Sequence, residues 1–478
     1  MRFLEVTSFP GKYMYWYYRL HPGLAQAPYA EQKAAFTADG VNAGLHLAED
    51  MRALGYTAET VIANNLNLQA AWAAENNFPP PSDYADLVIE QIDRFEPDIL
   101  YLINCPFFGG RFLSRLPKRS RLVFGWHYAP LFADTDWTGY DLILSPLRSC
   151  RAAATACGAA ASDYAFAGFR AGPDPLPEHE ARRVDVAFCG TWSPEYSRRN
   201  AFLETLAREA LSADERELSR VLCLNALNHE ELSPGVAALN RGAVWGKRMY
   251  ALLAASRLVV NAVADYAQGE APNLRHMEAS GLGALLLAEN HPSLRAFFQE
   301  DELATFASAG EMLEKIRHYL QNDAERQAVA ERGRARCLRD FSTAVRARAM
   351  DRRIERALRP QSFDAAAREN LVREAKQFTT AGDQGLVQAA CAGLDKDLTA
   401  AMWESFCRGD AAEVTALAEM REKLTADSFE HAFCGCLARA VQGDMPAALA
   451  LLRQELENFP ENDRARGIYA DLLAAYPA

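Results

Sequence analysis

The feature that most constrains the fold of this chain is a series of short apolar runs separated by helical patterns. In the first part of the chain the clearest of these runs are Pro97–Cys105, Arg121–Tyr128 and Asp141–Pro146. Strands buried on both faces have this nearly continuous apolar composition, and helices between them imply a parallel, doubly wound sheet. Strands are also predicted at the start of the chain and around residue 60, with one helix over Ala34–Leu54 that ends at Gly55.

A second series of strands and helices follows Gly168–Arg183, a stretch rich in proline, glycine and charge that is typical of an interdomain linker. The strands of this series are predicted at Val184–Gly190, Ser219–Ala226, Arg257–Ala264 and Gly283–Asn290. The sequence therefore predicts an α/β protein with two Rossmann-like domains that face each other across a cleft. Ligands of open α/β sheets bind at the carboxyl ends of the strands, so we expect the functional site in this cleft.

After about residue 365 the strand patterns stop and only helical patterns remain. Gly409–Asp410 and Gly443–Asp444 lie 34 residues apart, which is the period of tetratricopeptide repeats (TPR). An earlier pair, Gly382–Asp383, is out of register with them. We predict a TPR-like helical module, with a plain helical bundle as the alternative. The predicted domains are residues 1–167, 168–362 and 363–478.

Composition and charge exclude several classes of protein. The net charge of −12 lacks the basic footprint that broad nucleic-acid binding requires. No apolar stretch approaches the roughly 18 residues that span a bilayer, and the N-terminus lacks the apolar core of a secretory signal. We therefore expect a cytoplasmic protein. Two basic runs, residues 111–121 and 346–359, suit a peripheral position at the inner face of the membrane, or are simply solvated helix faces.

The first candidate site follows the first predicted strand of the second domain. Gly190 is predicted to separate this strand from a helix capped by Ser193, and a glycine there lets backbone N–H groups approach a phosphate. Arg198 and Arg199 lie in the first turns of that helix and would neutralise a diphosphate. Lys247 or Arg248, on a later helix, would meet a second phosphate oxygen. The alternative is an ordinary strand–helix turn with solvated basic side chains.

The second candidate site contains two glutamates around a short helix. Pro272 predicts a helix over Asn273–Ala279 whose N-terminus points into the cleft. Glu270 precedes this helix and Glu278 lies within it, and each carboxylate can accept hydrogen bonds from two hydroxyls of a sugar or a ribose. The alternative for Glu278 is an i,i+3 ion pair with Arg275.

The stretch from Glu270 to Asn290, EAPNLRHMEASGLGALLLAEN, resembles the E-x7-E signature of GT-B-fold glycosyltransferases of group 1. The Asn and the Arg before the second Glu make it more similar to the CgeB/YkvP-like branch, and the similarity extends from Val184 to about Leu358. The resemblance implies a hexosyltransferase-type enzyme (EC 2.4) that uses a UDP- or GDP-sugar, retains the configuration of the sugar, and needs neither a metal nor another cofactor. The ten cysteines show no zinc-ligand spacing either.

Carried over residue by residue, the resemblance gives each candidate a role. Glu278 would hold the donor ribose, and Glu270 would hold the hydroxyls of the donor sugar. The other donor-binding candidates, which would contact the diphosphate or shape its site, are Gly190, Arg198, Arg199, Lys247, Asn273 and Arg275.

The first domain has to supply the acceptor contacts and any catalytic base. His127 lies at the expected C-terminal end of a buried strand, hence at the cleft, and is the candidate base, because a histidine can accept a proton near neutral pH. The alternative is a structural histidine beside Trp126, with Asp134 and Asp136 as further candidates for the base. The aromatic segment of residues 9–23 is predicted to be a loop, either flexible and stacked on an acceptor sugar or buried.

Three functions are compatible with these patterns. The first is a glycosyltransferase acting on a glycan or protein acceptor, with the TPR-like module choosing a protein acceptor or mediating dimerisation. The second is a non-catalytic GT-B-like scaffold that binds partners through the helical module. The third is another sugar-nucleotide enzyme with two Rossmann-like domains, such as an epimerase. The glycine, the basic residues and the two glutamates all fall where one donor site requires them, which favours the transferase.

Overall fold

The structure is a computed structural model that describes residues 1–79, 83–103, 105–172, 181–210, 220–226, 232–267, 270, 272–359, 384–424 and 429–475. The chain divides into two compact units, one formed by Met1–Arg348 and one that begins at Ala349. The first unit contains two parallel sheets and the second is helical. Among the described residues, no helix has both the length and the apolar composition needed to cross a membrane.

The first sheet has six parallel strands in the order β2-β1-β3-β4-β5-β6. Its strands are β1 (Arg2–Thr7), β2 (Thr57–Ile62), β3 (Ile99–Ile103), β4 (Leu122–Trp126), β5 (Leu142–Leu144) and β6 (Ser162–Asp163). The helices of this domain are α1 (Gly11–Leu20), α2 (Tyr29–Asp39), α3 (Ala48–Ala53), α4 (Leu66–Glu75), α5 (Tyr84–Phe95), α6 (Gly110–Leu113) and α7 (Arg148–Ala153). Strands β3 and β4 are buried along their whole length, as their apolar composition predicted.

Two predictions for this domain are wrong in detail. The helix predicted over Ala34–Leu54 is two helices, because Gly40 ends α2 in the left-handed conformation (φ 72°) and a loop follows. The aromatic segment predicted as a loop contains α1. Its Tyr13 and Tyr17 are buried against Phe36, with ring centroids 5.9 Å and 4.7 Å away, so apolar burial on one face stabilises a helix there.

The second sheet has five parallel strands in the order β8-β7-β9-β10-β11. Its strands are β7 (Val184–Trp192), β8 (Arg220–Ala226), β9 (Ser256–Asn261), β10 (Leu285–Glu289) and β11 (Ala304–Phe306). The helices are α8 (Ser197–Ala210), α9 (Pro234–Leu239), α10 (Gly246–Ala254), α11 (Leu274–Gly281), α12 (Ala309–Gln321), α13 (Asp323–Asp340) and α14 (Thr343–Ala357). In each sheet the second strand lies on one side of the first strand and the third strand lies on its other side. The strand order therefore reverses between β1 and β3 in the first sheet and between β7 and β9 in the second.

These two doubly wound sheets in one compact unit form the GT-B arrangement, so the predicted α/β fold class is confirmed. The change of strand order is the point where open α/β sheets bind ligands, outside the carboxyl ends of the strands. Half of the predicted linker, residues 173–180, lies outside the described part of the chain. The proposed limits of the three domains stay predictions.

Beyond α14, the elements formed by the described residues of the second unit are all helices, as the sequence predicted. Its helices are α15 (Gln384–Arg408), α16 (Ala411–Leu424), α17 (His431–Val441), α18 (Met445–Asn458) and α19 (Asp463–Ala475). Gly409 and Gly443 have positive φ angles of 76° and 79°, and the aspartate after each accepts a backbone hydrogen bond three residues on, at 3.1 Å and 3.2 Å. The same turn thus recurs after 34 residues. Gly382–Asp383 lies outside the described residues, and the TPR-like assignment stays a prediction.

Candidate functional site

A cavity of about 310 Å³ lies between the two α/β domains of the first unit, at the carboxyl ends of their strands. From the first domain it is lined by Asn42 and by Trp126 and Tyr128, which stand at and after the end of β4. From the second domain it is lined by residues of β7, by the end of β9, and by the start of α11. The cavity therefore lies at the point of strand-order change between β7 and β9, where the fold predicts a ligand.

Helix α11 begins beside this cavity with an uncharged cap. Asn273 is the N-cap: its Oδ1 accepts hydrogen bonds from the backbone N–H of Arg275 (3.0 Å) and from Asn261 Nδ2 (3.0 Å). His276 completes a capping box, since its Nδ1 accepts from the backbone N–H of Asn273 at 3.2 Å. Burial and the nearby His291 lower the pKa of His276 to about 3, so the imidazole is neutral at neutral pH. The predicted helix is confirmed, with Pro272 just before it instead of in its first turn.

Arg275 and Glu278 form a buried ion pair within α11. Arg275 donates to Glu278 Oε2 at 2.5 Å and, through Nε, to the carbonyl oxygen of Cys189 at 3.2 Å. Burial alone would lower the pKa of Arg275, but the charge of Glu278 outweighs it and raises that pKa. Arg275 lines the cavity, whereas Glu278 is only 2% exposed and does not line it. The ion-pair alternative for Glu278 is thus present in the structure.

The two neighbouring arginines of α8 have different surroundings. Arg199 lines the cavity and is 93% buried, and it lies over the ring of Tyr196 at 4.2 Å. Its guanidinium donates to the carbonyl oxygen of Thr191, while its buried Nε has no hydrogen-bond partner. Burial lowers the pKa of Arg199, although the group stays charged. Arg198 points elsewhere, because its Nε pairs with Glu289 at 3.0 Å and its side chain is half exposed.

The start of α8 differs from the prediction. Strand β7 continues past Gly190 to Trp192, so Gly190 lies inside the strand, where it lines the cavity. The helix begins at Ser197 instead of after Ser193. The hydrogen-bond acceptor at the N-terminus of α8 is a residue distant in sequence. Asp265 Oδ2 accepts hydrogen bonds from Ser197 Oγ (3.2 Å) and from the N–H of Arg198 (3.1 Å). A carboxylate therefore already occupies this helix N-terminus.

The N-terminus of α10 is occupied in the same way. The Asp39 carboxylate accepts a hydrogen bond from the backbone N–H of Lys247 and another from Tyr13 Oη at 2.8 Å. Gly246 permits this approach, because a Cβ on it would lie 1.9 Å from an Asp39 oxygen. The Lys247 side chain is exposed and does not line the cavity. Burial raises the pKa of Asp39.

Helices α8, α10 and α11 carry predicted donor-binding residues, and the groups that cap their N-termini differ in charge. The N-termini of α8 and α10 each hold a carboxylate of the protein, whereas that of α11 holds a neutral amide and faces the cavity. A helix N-terminus attracts anions. The charge distribution thus leaves α11, between Arg199 and Arg275, as the place for an anionic ligand.

Glu270 joins the two α/β domains. Its Oε2 accepts a hydrogen bond from the backbone N–H of Arg148, the first residue of α7, at 2.8 Å. Pro146 and Pro272, each two residues from one partner of this bond, both line the cavity. Glu270 itself does not line the cavity, but its hydrogen bond connects the two domains close to these two lining prolines.

His127 follows β4 as predicted, but its side chain is 96% buried and packs edge-on against Trp137, with ring centroids 5.8 Å apart. Burial lowers the pKa of His127, and its Nε2 has no hydrogen-bond partner. It does not line the cavity, although Trp126 and Tyr128 on either side do. Of the further candidates for the base, Asp136 is turned toward its own loop, where Oδ1 accepts from the N–H of Thr138 at 2.9 Å.

The sequence pointed to Gly190, Arg199, Asn273 and Arg275, which the structure brings together around the cavity. It missed the residues whose role depends on contacts between distant segments, namely Asp39, Asn42, Tyr128 and Asp265. One signal was available for Tyr128 and Asp265, because Tyr128 is the last residue of one predicted buried strand and Asp265 directly follows another. Across the described ranges, no group of three or more histidine, cysteine or acidic side chains is placed to hold a metal ion.

Sequence comparison matches part of the chain to a family model. Residues 198–352, which include most of the second domain, match a family model described as "Glycosyl transferase-like". The match covers less than half of the chain. A search of curated proteins by sequence finds no match.

Several solved structures resemble this chain at low identity. Anabaena Alr3699/HepE in complex with UDP and glucose is 12% identical, with 74% of this chain and 99% of that chain covered and a TM-score of 0.47. The DNA-modifying enzyme β-glucosyltransferase (10%, 75% and 99% covered, TM-score 0.47) and sucrose-phosphate synthase from Thermosynechococcus elongatus (10%, 75% and 100% covered, TM-score 0.44) are similar to this extent. All of these TM-scores are below 0.5.

Proposed function

We propose that this protein is a glycosyltransferase that takes a sugar from a nucleotide-diphosphate sugar bound in the cavity between its two α/β domains. The observation that carries the proposal is the arrangement around the start of α11. There an uncharged helix N-terminus, a buried arginine from α8 and a second arginine from α11 face one cavity at the strand-order change. The match of residues 198–352 to a glycosyl transferase-like family supports it.

The diphosphate is the part of the donor that this arrangement suits. Arg199 and the first residues of α11, Leu274 and Arg275, line the same cavity. In sugar transfer the bond between the sugar and the diphosphate breaks, and negative charge develops on the leaving oxygen. Arginines and a helix N-terminus placed in advance stabilise that charge, as an oxyanion hole does. We therefore propose that transfer requires no metal.

The two glutamates act differently in this proposal. Glu270 already accepts the N–H of Arg148 with one oxygen, and a carboxylate has further acceptor positions for a sugar hydroxyl. Glu278 is buried against Arg275, so we assign it to holding that arginine, and any contact with ribose would need this pair to open. His127 stays the candidate base of the proposal, and its lowered pKa keeps the imidazole neutral. Because the side chain is buried and does not line the cavity, proton transfer to it would need a rearrangement that exposes it to the acceptor.

The finer features follow from the resemblance and are part of the same proposal. They are a hexose as the transferred group, UDP or GDP as the nucleotide, retention of configuration, and a glycan or protein acceptor. The C-terminal helices, as a TPR-like module, would select a protein acceptor or pair two copies. We expect the enzyme in the cytoplasm, with a peripheral position at the inner face of the membrane if its basic runs contact lipid.

The test is release of nucleoside diphosphate from UDP- and GDP-sugars, with EDTA present and with the protein purified to homogeneity. We expect slow hydrolysis of one donor, and its loss in Arg199→Gln but not in Arg198→Gln. The scaffold alternative has an observation in its favour, since Arg198, Lys247 and Glu278 all lie outside the cavity. If no donor is cleaved and no nucleoside diphosphate binds, the scaffold is correct.

A further inference from the structure

Two neighbouring strands of the second sheet bring a pair of thiols together at the wall of the cavity between the α/β domains. Cys189 of β7 and Cys223 of β8 are register partners, and paired positions of neighbouring strands place their side chains on the same face of the sheet. Both cysteines are free and buried, and Cys189 lines the cavity. In the described ranges no other two cysteines are strand neighbours. The proposed transferase uses neither thiol.

The two thiols are hydrogen-bonded to each other and differ in acidity. The hydrogen bond that Cys189 donates lowers the pKa of Cys223, and the charges of Arg275 and Arg241 act in the same direction, so together they outweigh the burial of this thiol. The same hydrogen bond and burial raise the pKa of Cys189. Cys223 is therefore the sulfur that ionises first, and the thiolate is the nucleophilic form of a cysteine.

The spacing of the two strands suits a covalent bond between these sulfurs. Neighbouring strands lie about 4.8 Å apart, and the Cα atoms of a disulfide usually lie roughly 4.4–6.8 Å apart. The Cβ atoms of a disulfide are closer, at about 3.8 Å, so the bond requires β7 and β8 to approach each other slightly. A disulfide under such strain is easily reduced, and strained disulfides are the labile and regulatory ones.

We propose that Cys189 and Cys223 form a reversible disulfide when a peroxide enters the cavity. With hydrogen peroxide, the Cys223 thiolate attacks one oxygen, the O–O bond breaks, and the departing hydroxide becomes water by taking the proton that Cys223 released. The Cys189 sulfur then attacks the resulting sulfenic acid: the S–S bond forms, the S–O bond breaks, and a second water leaves with the Cys189 proton. Two thiols thus lose two electrons, and one hydrogen peroxide is reduced to two waters.

The disulfide would alter the side of the cavity that holds Arg275. The Nε of Arg275 donates to the carbonyl oxygen of Cys189 at 3.2 Å, and the next residue, Gly190, lines the cavity. Movement of β7 toward β8 shifts this carbonyl oxygen and weakens the hydrogen bond that orients Arg275. This effect on ligand binding rests on the proposed function, in which Arg275 faces the diphosphate, whereas the formation of the disulfide does not.

The experiment treats the full-length protein with hydrogen peroxide, alkylates the remaining thiols under denaturing conditions, and maps linked peptides by mass spectrometry. We expect a Cys189–Cys223 linkage that lacks two hydrogens and is reversed by dithiothreitol. The linkage should be absent in Cys223→Ala and present in the control Cys407→Ala, which removes an exposed cysteine. Oxidation should lower the affinity of the wild type for UDP or GDP by about fivefold, the effect of one ordinary hydrogen bond. Peroxide should leave the affinity of Cys223→Ala unchanged.

The map of the wild type decides the proposal even if a variant fails to fold. Reduced Cys189 and Cys223 in a protein whose Cys407 has been oxidised would overturn it. Oxidation of Cys223 to the sulfinic acid without a linkage, or a linkage of either residue to another cysteine, would overturn it as well. A correct linkage with unchanged nucleotide affinity would overturn the effect on Arg275. If the reduced protein binds neither UDP nor GDP, the proposed function fails, and the linkage map still decides this inference.

Discussion

Replacing Arg199 by glutamine should weaken binding of a nucleoside diphosphate, whereas the same change at Arg198 should not. The sequence alone could not distinguish the roles of these two arginines. Arg199 lines the cavity, and in the proposed function its guanidinium donates a hydrogen bond to the diphosphate. Hydrogen bonds to a charged group contribute about 1.5–3 kcal/mol. Loss of one such bond corresponds to a decrease in affinity of roughly ten- to hundredfold for UDP or GDP. Arg198→Gln, next to it in sequence, should change affinity by less than about twofold, because Arg198 is paired with Glu289.

The fold should tolerate the Arg199→Gln change. The variant loses the stacking on Tyr196, worth about 1 kcal/mol, and the hydrogen bond to Thr191. It also removes a buried cation whose desolvation lowers the pKa of Arg199 and disfavours the charged form, so the losses are partly offset. We expect the free energy of unfolding to change by about 1 kcal/mol.

The assay is isothermal titration calorimetry of both variants with UDP and GDP in EDTA, after thermal melting has shown that each variant is folded. The two variants have the same net charge, so a general electrostatic effect would weaken both equally. An equal loss in both, or a larger loss in Arg198→Gln, would refute the assignment of Arg199 to the diphosphate.

The remaining predictions concern α11. Asn273→Asp places a negative charge at the helix N-terminus, so the free energy of unfolding should hold or rise by about 0.3–1 kcal/mol, the contribution of a favourable helix-dipole contact. Affinity for the nucleoside diphosphate should fall about tenfold, because the new carboxylate repels the diphosphate. A gain in affinity would contradict an anion site there. Glu278→Gln should destabilise the unliganded protein by about 3 kcal/mol in urea unfolding, because Arg275 loses its buried counter-charge; unchanged stability with lost binding would support a ribose contact instead. The pKa of His276 is lowered to about 3 in the folded state. The stability that the neutral imidazole contributes is therefore fully present above about pH 6.5 and is lost as the pH falls toward 3. In that window His276→Gln, which keeps a capping side chain, should flatten the pH dependence of unfolding by up to about 1.4 kcal/mol per pH unit; identical slopes would show that His276 does not titrate this way.

The sequence was sufficient where local rules decide the outcome. Apolar runs correctly predicted β3, β4, β9 and β10. Strands of a parallel sheet are buried on both faces, so their residues are apolar almost without interruption. Pro272 and Asn273 located the start of α11, since the cap and its partner Arg275 are two residues apart. The same local rule failed at Ser193, where a residue far away in the chain supplies the acceptor for α8.

The contacts that organise the site come from residues that no local pattern relates. Asp265 lies 67 residues from the Arg198 N–H that it binds, and Glu270 lies 122 residues from Arg148. A sequence pattern places an arginine on a helix but does not say which partner it will find. For this reason Arg198 and Arg199 were equivalent on the sequence, whereas in the structure one is an ion pair and the other faces the cavity.

The central claim is that a nucleoside diphosphate binds at the N-terminus of α11, and a crystal structure of the protein with UDP or GDP in the presence of EDTA tests it most directly. The account predicts diphosphate oxygens about 2.7–3.2 Å from the first backbone N–H groups of α11 and from the guanidinium of Arg199, with no metal ion between them. A diphosphate bound at the start of α8 in place of Asp265, or outside the cavity, would contradict it.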